Sequence, residues 1–261
     1  MRAITPQVKE RNELRIGMFT QILTGSVIGA FLLGLAAPIA AETPVQWYTT
    51  GGEDSYQIAG HAERTDIVYA GTQRLAIEHQ GSVTRFTATV TYDRRESGSA
   101  SHVTGAFSTN ILANGEERDG SDDDPDYLTI LNQPFSIELD PPTLHDLRSL
   151  VRAVPFDFPS PMTGALLHGS LRRLPDGVID GRRVLGIAFA AHGPLNGALP
   201  DHPETAVSGS ITMNGTAYYA YADALLTALD ATLRIDGKVS NTGQNDPITI
   251  VYKRTIRPQT P

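Results

Sequence analysis

None of the 261 residues is a cysteine, so disulfide stapling, thiol catalysis and lipid modification of an N-terminal cysteine are all closed to this chain. No HxH or HExxH spacing joins any of His61, His79, His102, His145, His168, His192 and His202, which removes the usual zinc-ligand patterns. GxSxG, GxGxxG and GxxxxGK[ST] are missing too, and with them the signatures of nucleophile-elbow hydrolases, dinucleotide binders and P-loop enzymes. Basic residues are scarce: Lys and Arg number 21 against 29 Asp and Glu, a net charge of −8. Nucleic acid and anionic membrane surfaces are therefore poor partners. No catalytic residue and no resident cofactor follow from any of these patterns.

What the chain does contain begins with a leader. Arg2, Lys9, Arg11 and Arg15 precede an uncharged apolar stretch from Ile22 to Ala41, which closes on the small-residue run Ala36-Ala37-Pro38-Ile39-Ala40-Ala41. A basic leader, an apolar run and a small-residue exit make a secretory signal, with cleavage expected after Ala41. An uncleaved anchor is the competing reading, since a bilayer needs about 20 apolar residues. Cleavage fits better, because no basic cluster follows the exit. The expectation is a signal over residues 1–41 and one β-rich domain over 42–261. The protein would then be exported to the periplasm or the extracellular space, with no membrane span after cleavage. Without the leader the charge falls to −10, with 17 basic residues against 27 acidic.

Period-two alternation dominates the remainder. Phe86, Ala88, Val90 and Tyr92 alternate with threonines, and Leu229, Ala231, Leu233, Ile235, Gly237 and Val239 alternate with polar residues. Ile248, Ile250 and Tyr252 repeat the pattern, which is that of antiparallel strands with one face on a core and one in water. Further strands are expected at 74–80, 102–112, 135–139, 165–174, 184–191 and 207–221. Asn114-Gly115, Asp176-Gly177, Asp180-Gly181 and Asn196-Gly197 supply tight-turn chemistry, and Asn214-Gly215 marks a turn or bulge. One short helix is expected near 143–152, capped by Thr143, with Leu144, Leu147, Leu150 and Val151 on one face. The fold class is thus mainly β: a curved antiparallel sheet, half-barrel or sandwich-like, with one helix.

Two groups of residues are candidates for a site. Asp122, Asp124 and Asp126 alternate within the acidic run Glu116–Asp126, so one side of an extended loop offers oxygen ligands to calcium. The EF-hand pattern fails there, because Tyr127 stands where its glycine belongs, and a solvated acidic loop is the plainer reading. Tyr218, Tyr219 and Tyr221 lie on one strand candidate, so adjacent rings must point to opposite faces. Some of that aromatic surface faces outward or into an apolar or carbohydrate pocket, or stands at a sheet edge.

The run Asp126-Tyr127-Leu128-Thr129-Ile130-Leu131-Asn132-Gln133-Pro134-Phe135, followed by Pro155-Phe156-Asp157-Phe158-Pro159-Ser160-Pro161, resembles uncharacterised exported bacterial proteins. That resemblance implies no activity. In architecture alone, many antiparallel strands plus a short helix are similar to the half-barrels of LolA- and LppX-type lipid carriers. This second likeness implies a hydrophobic small molecule or lipid held on a concave sheet face. The alternatives are a closed sandwich that binds another envelope protein and, more weakly, a hydrolase using carboxylates.

Overall fold

The computed structural model describes residues 45–58, 64–113, 115–159, 166–199, 202–241 and 244–259. The leader, and with it the expected signal and cleavage site, lies outside them. In chain order the strands are β1 (Val45–Ile58), β2 (Thr65–Gln80), β3 (Val83–Glu96), β4 (Ser99–Leu112), β5 (Glu117–Asp122), β6 (Val154–Pro159) and β7 (Leu166–Arg173). They continue with β8 (Gly177–Ile179), β9 (Arg182–Leu199), β10 (His202–Ala220), β11 (Leu226–Asn241) and β12 (Gln244–Pro258). A 3-10 turn (Ile130–Asn132) and one helix, α1 (Pro141–Ser149), lie between β5 and β6.

All twelve strands join one open antiparallel sheet in the order β5-β4-β3-β2-β1-β12-β11-β10-β9-β7-β6, with β8 pairing beside β7 on β9. The expected alternation is its cause: Phe86, Ala88, Val90 and Tyr92 of β3 are buried, while Thr89 among them and Arg85 and Asp93 on either side are exposed. β1 and β12 pair over eleven residues each, from Tyr48 opposite Pro258 to Ile58 opposite Ile248. Two meanders, β1–β5 and β6–β12, are thereby fused through their terminal strands. The outward face carries Arg85, Asp93, Arg95, Arg234, Lys238 and Lys253, all exposed. A sheet embedded in lipid has the reverse polarity, apolar outward.

This strand order dictates what fills the concave face. β5 and β6 follow each other in sequence yet form the two opposite edges of the sheet, so residues 123–153 must cross from one edge to the other. They cross on the inside. Leu128, Ile130, Leu131, Phe135, Ile137 and Leu139 are each at most 6% exposed. Both wings hold this stretch. From β1 and β2, Thr50 and Gln73 donate to the Leu128 carbonyl at 3.4 and 3.5 Å, and Gln73 Oε1 accepts the Ile130 N–H at 2.6 Å. From β10, the Tyr219 hydroxyl donates to the Ser136 carbonyl at 3.1 Å, and the Phe189 ring of β9 lies 4.4 Å from that of Phe135. Burying each Leu, Ile or Phe contributes about 1.5–3 kcal/mol, so the six together hold on the order of 10 kcal/mol, the scale of a whole domain's net stability. This crossing segment is core, and it occupies the space that a half-barrel carrier would keep for a ligand.

Several local expectations need correction. Phe135, Ile137 and Leu139 do alternate inward, but residues 135–139 form no ladder strand; a single bridge joins Glu138 to Leu225. The cap of α1 is Asp140, not Thr143. Pro141 and Pro142 have no N–H to offer, so the first donor is that of Thr143, which reaches Asp140 Oδ1 at 2.9 Å while its hydroxyl reaches Oδ2 at 2.7 Å. Val151, assigned to the apolar face, is 97% exposed beyond the helix end. Asp180-Gly181 is a true hairpin turn, with φ of 49° and 73°. Asn196-Gly197 and Asn214-Gly215 instead lie inside the β9–β10 ladder, and the register shifts of β10 fall at Tyr218/Tyr219 against β11 and between His202 and Ala206 against β9.

Candidate functional site

The acidic run is tied down by its even-numbered members. Asp126 accepts the hydroxyls of Tyr92 at 2.6 Å and Tyr69 at 3.3 Å, and Arg94 stands 3.6 Å away. Asp124 is 3% exposed; its Oδ2 accepts the Thr129 N–H at 2.6 Å and the Asn132 amide at 3.2 Å. Asp122 accepts the Asp124 N–H at 3.0 Å and the Asn132 amide at 3.3 Å. The alternation thus puts these carboxylates to work anchoring the crossing segment, while Asp123 and Pro125 between them face water. Among the described residues no three His, Asp or Glu side chains come together in a geometry that holds a metal ion.

Beneath Asp126 lies a buried pair that was not anticipated. Arg254 of β12 is clamped on Asp54 of β1 through its two terminal guanidinium nitrogens, Nη1 to Oδ1 and Nη2 to Oδ2 at 3.2 Å, with side chains 10% and 3% exposed. Its Nη2 also donates to the Asp126 carbonyl at 3.1 Å, and Tyr69 donates to Asp54 at 3.0 Å. Gly52 makes the room: a Cβ there would stand 3.2 Å from the guanidinium and 2.9 Å from the Lys253 carbonyl. Burial works to lower the affinity of Arg254 for its proton, but the Asp54 charge and hydrogen bond outweigh it, so the arginine is held above its ordinary range. Burial and the neighbouring carboxylates push the Tyr69 and Tyr92 hydroxyls up in turn, so both remain donors. The arrangement is closed, its charges spent on one another. The signal for it was parity: Asp54 shares the inward register of Tyr48 and Thr50, and Arg254 that of Tyr252 and Ile256.

The three tyrosines separate as the alternation requires. Tyr219 is fully buried against the crossing segment. Tyr221 lies at the sheet end, its hydroxyl on Asp176 at 2.8 Å and the guanidinium groups of Arg148 and Arg183 at 4.8 and 5.3 Å from its ring centre. Tyr218 faces outward into a shallow groove of about 340 Å³, shared with Val178, Val184, Ala228, Asp230 and Arg257. The Tyr218 ring leans across β9, with Cε1 and Cδ1 at 3.0 and 3.2 Å from where a Cβ on Gly186 would stand. A second shallow groove, over Gly51 and Gly52, is rimmed by the exposed Glu53–Lys253 pair, 2.6 Å apart. The histidines serve as cross-strand surface partners: His79 with Thr84 at 3.1 Å, His102 with Asp93 at 3.0 Å and His168 with Asp157 at 3.1 Å. His145 is exposed; His61 and the side chain of His202 lie outside the described residues.

Comparison with known proteins adds no family. No family model matches the chain, and no curated protein does. Among solved structures, the β domain of the Bordetella autotransporter BrkA aligns over 82% of this chain and 98% of its own, at 8% identity and a TM-score of 0.19. A superposition that loose assigns no shared fold. Over its described residues the chain belongs to the mainly-β class, one open antiparallel sheet with a single helix.

Proposed function

We propose that this chain is an exported, non-enzymatic binding module whose interior serves only as core and whose partner meets the outward groove around Tyr218. The observation that carries the reading is the crossing segment, which fills the concave face with six buried apolar side chains and satisfies its backbone from both wings. A lipid carried on that face would have to displace on the order of 10 kcal/mol of packing before binding. The leader at residues 1–41 supports export, and the mutual bonding of Asp122, Asp124 and Asp126 with their neighbours speaks for an anchor in preference to a calcium loop. Native mass spectrometry of protein purified from an envelope fraction without detergent tests the reading. The bare polypeptide mass is expected, with or without a chelator. A stoichiometric lipid or calcium adduct would overturn it.

A further inference from the structure

We infer that the groove around Tyr218 takes a neutral sugar ring, an inference that rests on the outward groove being the binding site. The groove runs across the outward face from β12 over β11, β10 and β9 to the short β8. Around it β9, β10, β11 and β12 are each paired on both sides, and the edge that β8 offers is only three residues long, Gly177–Ile179, too short to seat an extended peptide as a further strand. Its charges are already matched. Arg257 Nη2 reaches both Asp230 oxygens at 2.7 Å, its Nη1 donates to the carbonyls of Leu229 and Ile256 at 3.0 and 2.8 Å, and Thr255 donates to Asp230 at 3.3 Å. An ionic ligand would meet a cancelled pair. Yet a carboxylate accepts about four hydrogen bonds and a guanidinium donates five, so this rim can still exchange bonds with uncharged hydroxyls.

The floor is of a different kind. Tyr218 lies along the sheet because Gly186 has no side chain to lift it, and Val178, 67% exposed, extends the apolar surface beside it above the buried Val184 and Ala228. A ring laid along a surface, next to a polar rim, matches a ligand with one C–H face and a margin of hydroxyls. That is the chemistry of a pyranose. At about 340 Å³ the groove stands at the small end of the range for small-molecule sites, about 300–1,000 Å³, and suits a ring or two better than an acyl chain.

Affinity electrophoresis of the folded chain in native gels containing dextran, laminarin or galactomannan, with alginate as the anionic control, tests the inference. Retardation is expected in at least one neutral polysaccharide and not in alginate. Tyr218→Phe keeps the ring and should keep the effect, whereas Tyr218→Ala should weaken it by about threefold to tenfold. Val178→Arg fills the groove from a side chain already 67% exposed, so it should abolish retardation without disturbing the fold. Unchanged mobility in every neutral polysaccharide, or retardation that both Tyr218→Ala and Val178→Arg leave intact, would overturn the sugar. A photo-crosslinking residue at position 178 separates the two failures. Crosslinks to a macromolecule with no retardation overturn the sugar alone, and silence in both assays overturns the groove as well.

Discussion

Asp124 is where the acidic run meets the core, and it does so with an imbalance. One of its oxygens, Oδ1, is buried without a donor, packed against Gly105, and burial raises its pKa above the ordinary carboxylate value. A carboxyl with a raised folded pKa favours the protonated folded state. Its contribution is therefore present below its unfolded pKa, near 3.8, and is lost as pH rises through the raised value. Asp124→Asn keeps an acceptor for the Thr129 N–H and removes the buried charge. It should raise Tm at pH 7 and lose that advantage as the pH falls toward 3.8, which thermal melts across pH would show. The Asp54–Arg254 pair should behave oppositely. Asp54→Asn leaves a buried guanidinium without its counter-charge and should cost about 3–5 kcal/mol in urea unfolding. Replacing both partners, Asp54→Leu with Arg254→Met, should cost less than the single change, since no stranded charge remains.

At the scale of elements, the alternation in β3 and β11 was legible because each strand has one wet and one dry face, and that needs no knowledge of neighbours. β1 was hidden by Gly51-Gly52, which interrupt its apolar parity, and β5 by its polarity, since four of the six residues in Glu117–Asp122 are acidic or basic. The stretch Phe135–Leu139 shows the limit of periodicity: its side chains alternate inward as in a strand, but its backbone is satisfied by Leu226 and Ala224 near the start of β11, in no ladder of its own. The same limit applied to the site. That Tyr218 and Tyr219 face opposite ways followed from spacing, whereas which one meets a groove depended on Gly186, one strand away in space and 32 positions away in sequence. Element-level predictions follow from these contacts. Phe135→Ala should cost about 3–5 kcal/mol, because it empties a site packed on Phe189, while Asp140→Ala should cost about 1 kcal/mol through the lost cap. Equilibrium urea unfolding of both variants checks the contrast.

For the whole molecule, the decisive property is topological. Because β1 pairs with β12, the free edges fall to β5 and β6, and the chain between them has to pass under the sheet. No local pattern encodes that order; it emerges only when the terminal strands find each other across some 200 residues. Both edges are guarded against further pairing, β5 by its charges and by Asp119 at φ 53°, and β6 by Pro155 and Pro159. The sheet is therefore completed by its own chain. The most direct test is native-state hydrogen exchange at the amides of Thr129, Ile130 and Asn132, bonded respectively to Asp124, Gln73 and the Thr129 carbonyl. If the crossing segment is core, these amides exchange only through global unfolding, with the same free energy as the buried ladder of β3 and β11. Exchange through a local opening several kcal/mol cheaper than global unfolding would contradict the account and make the segment a lid over a ligand site.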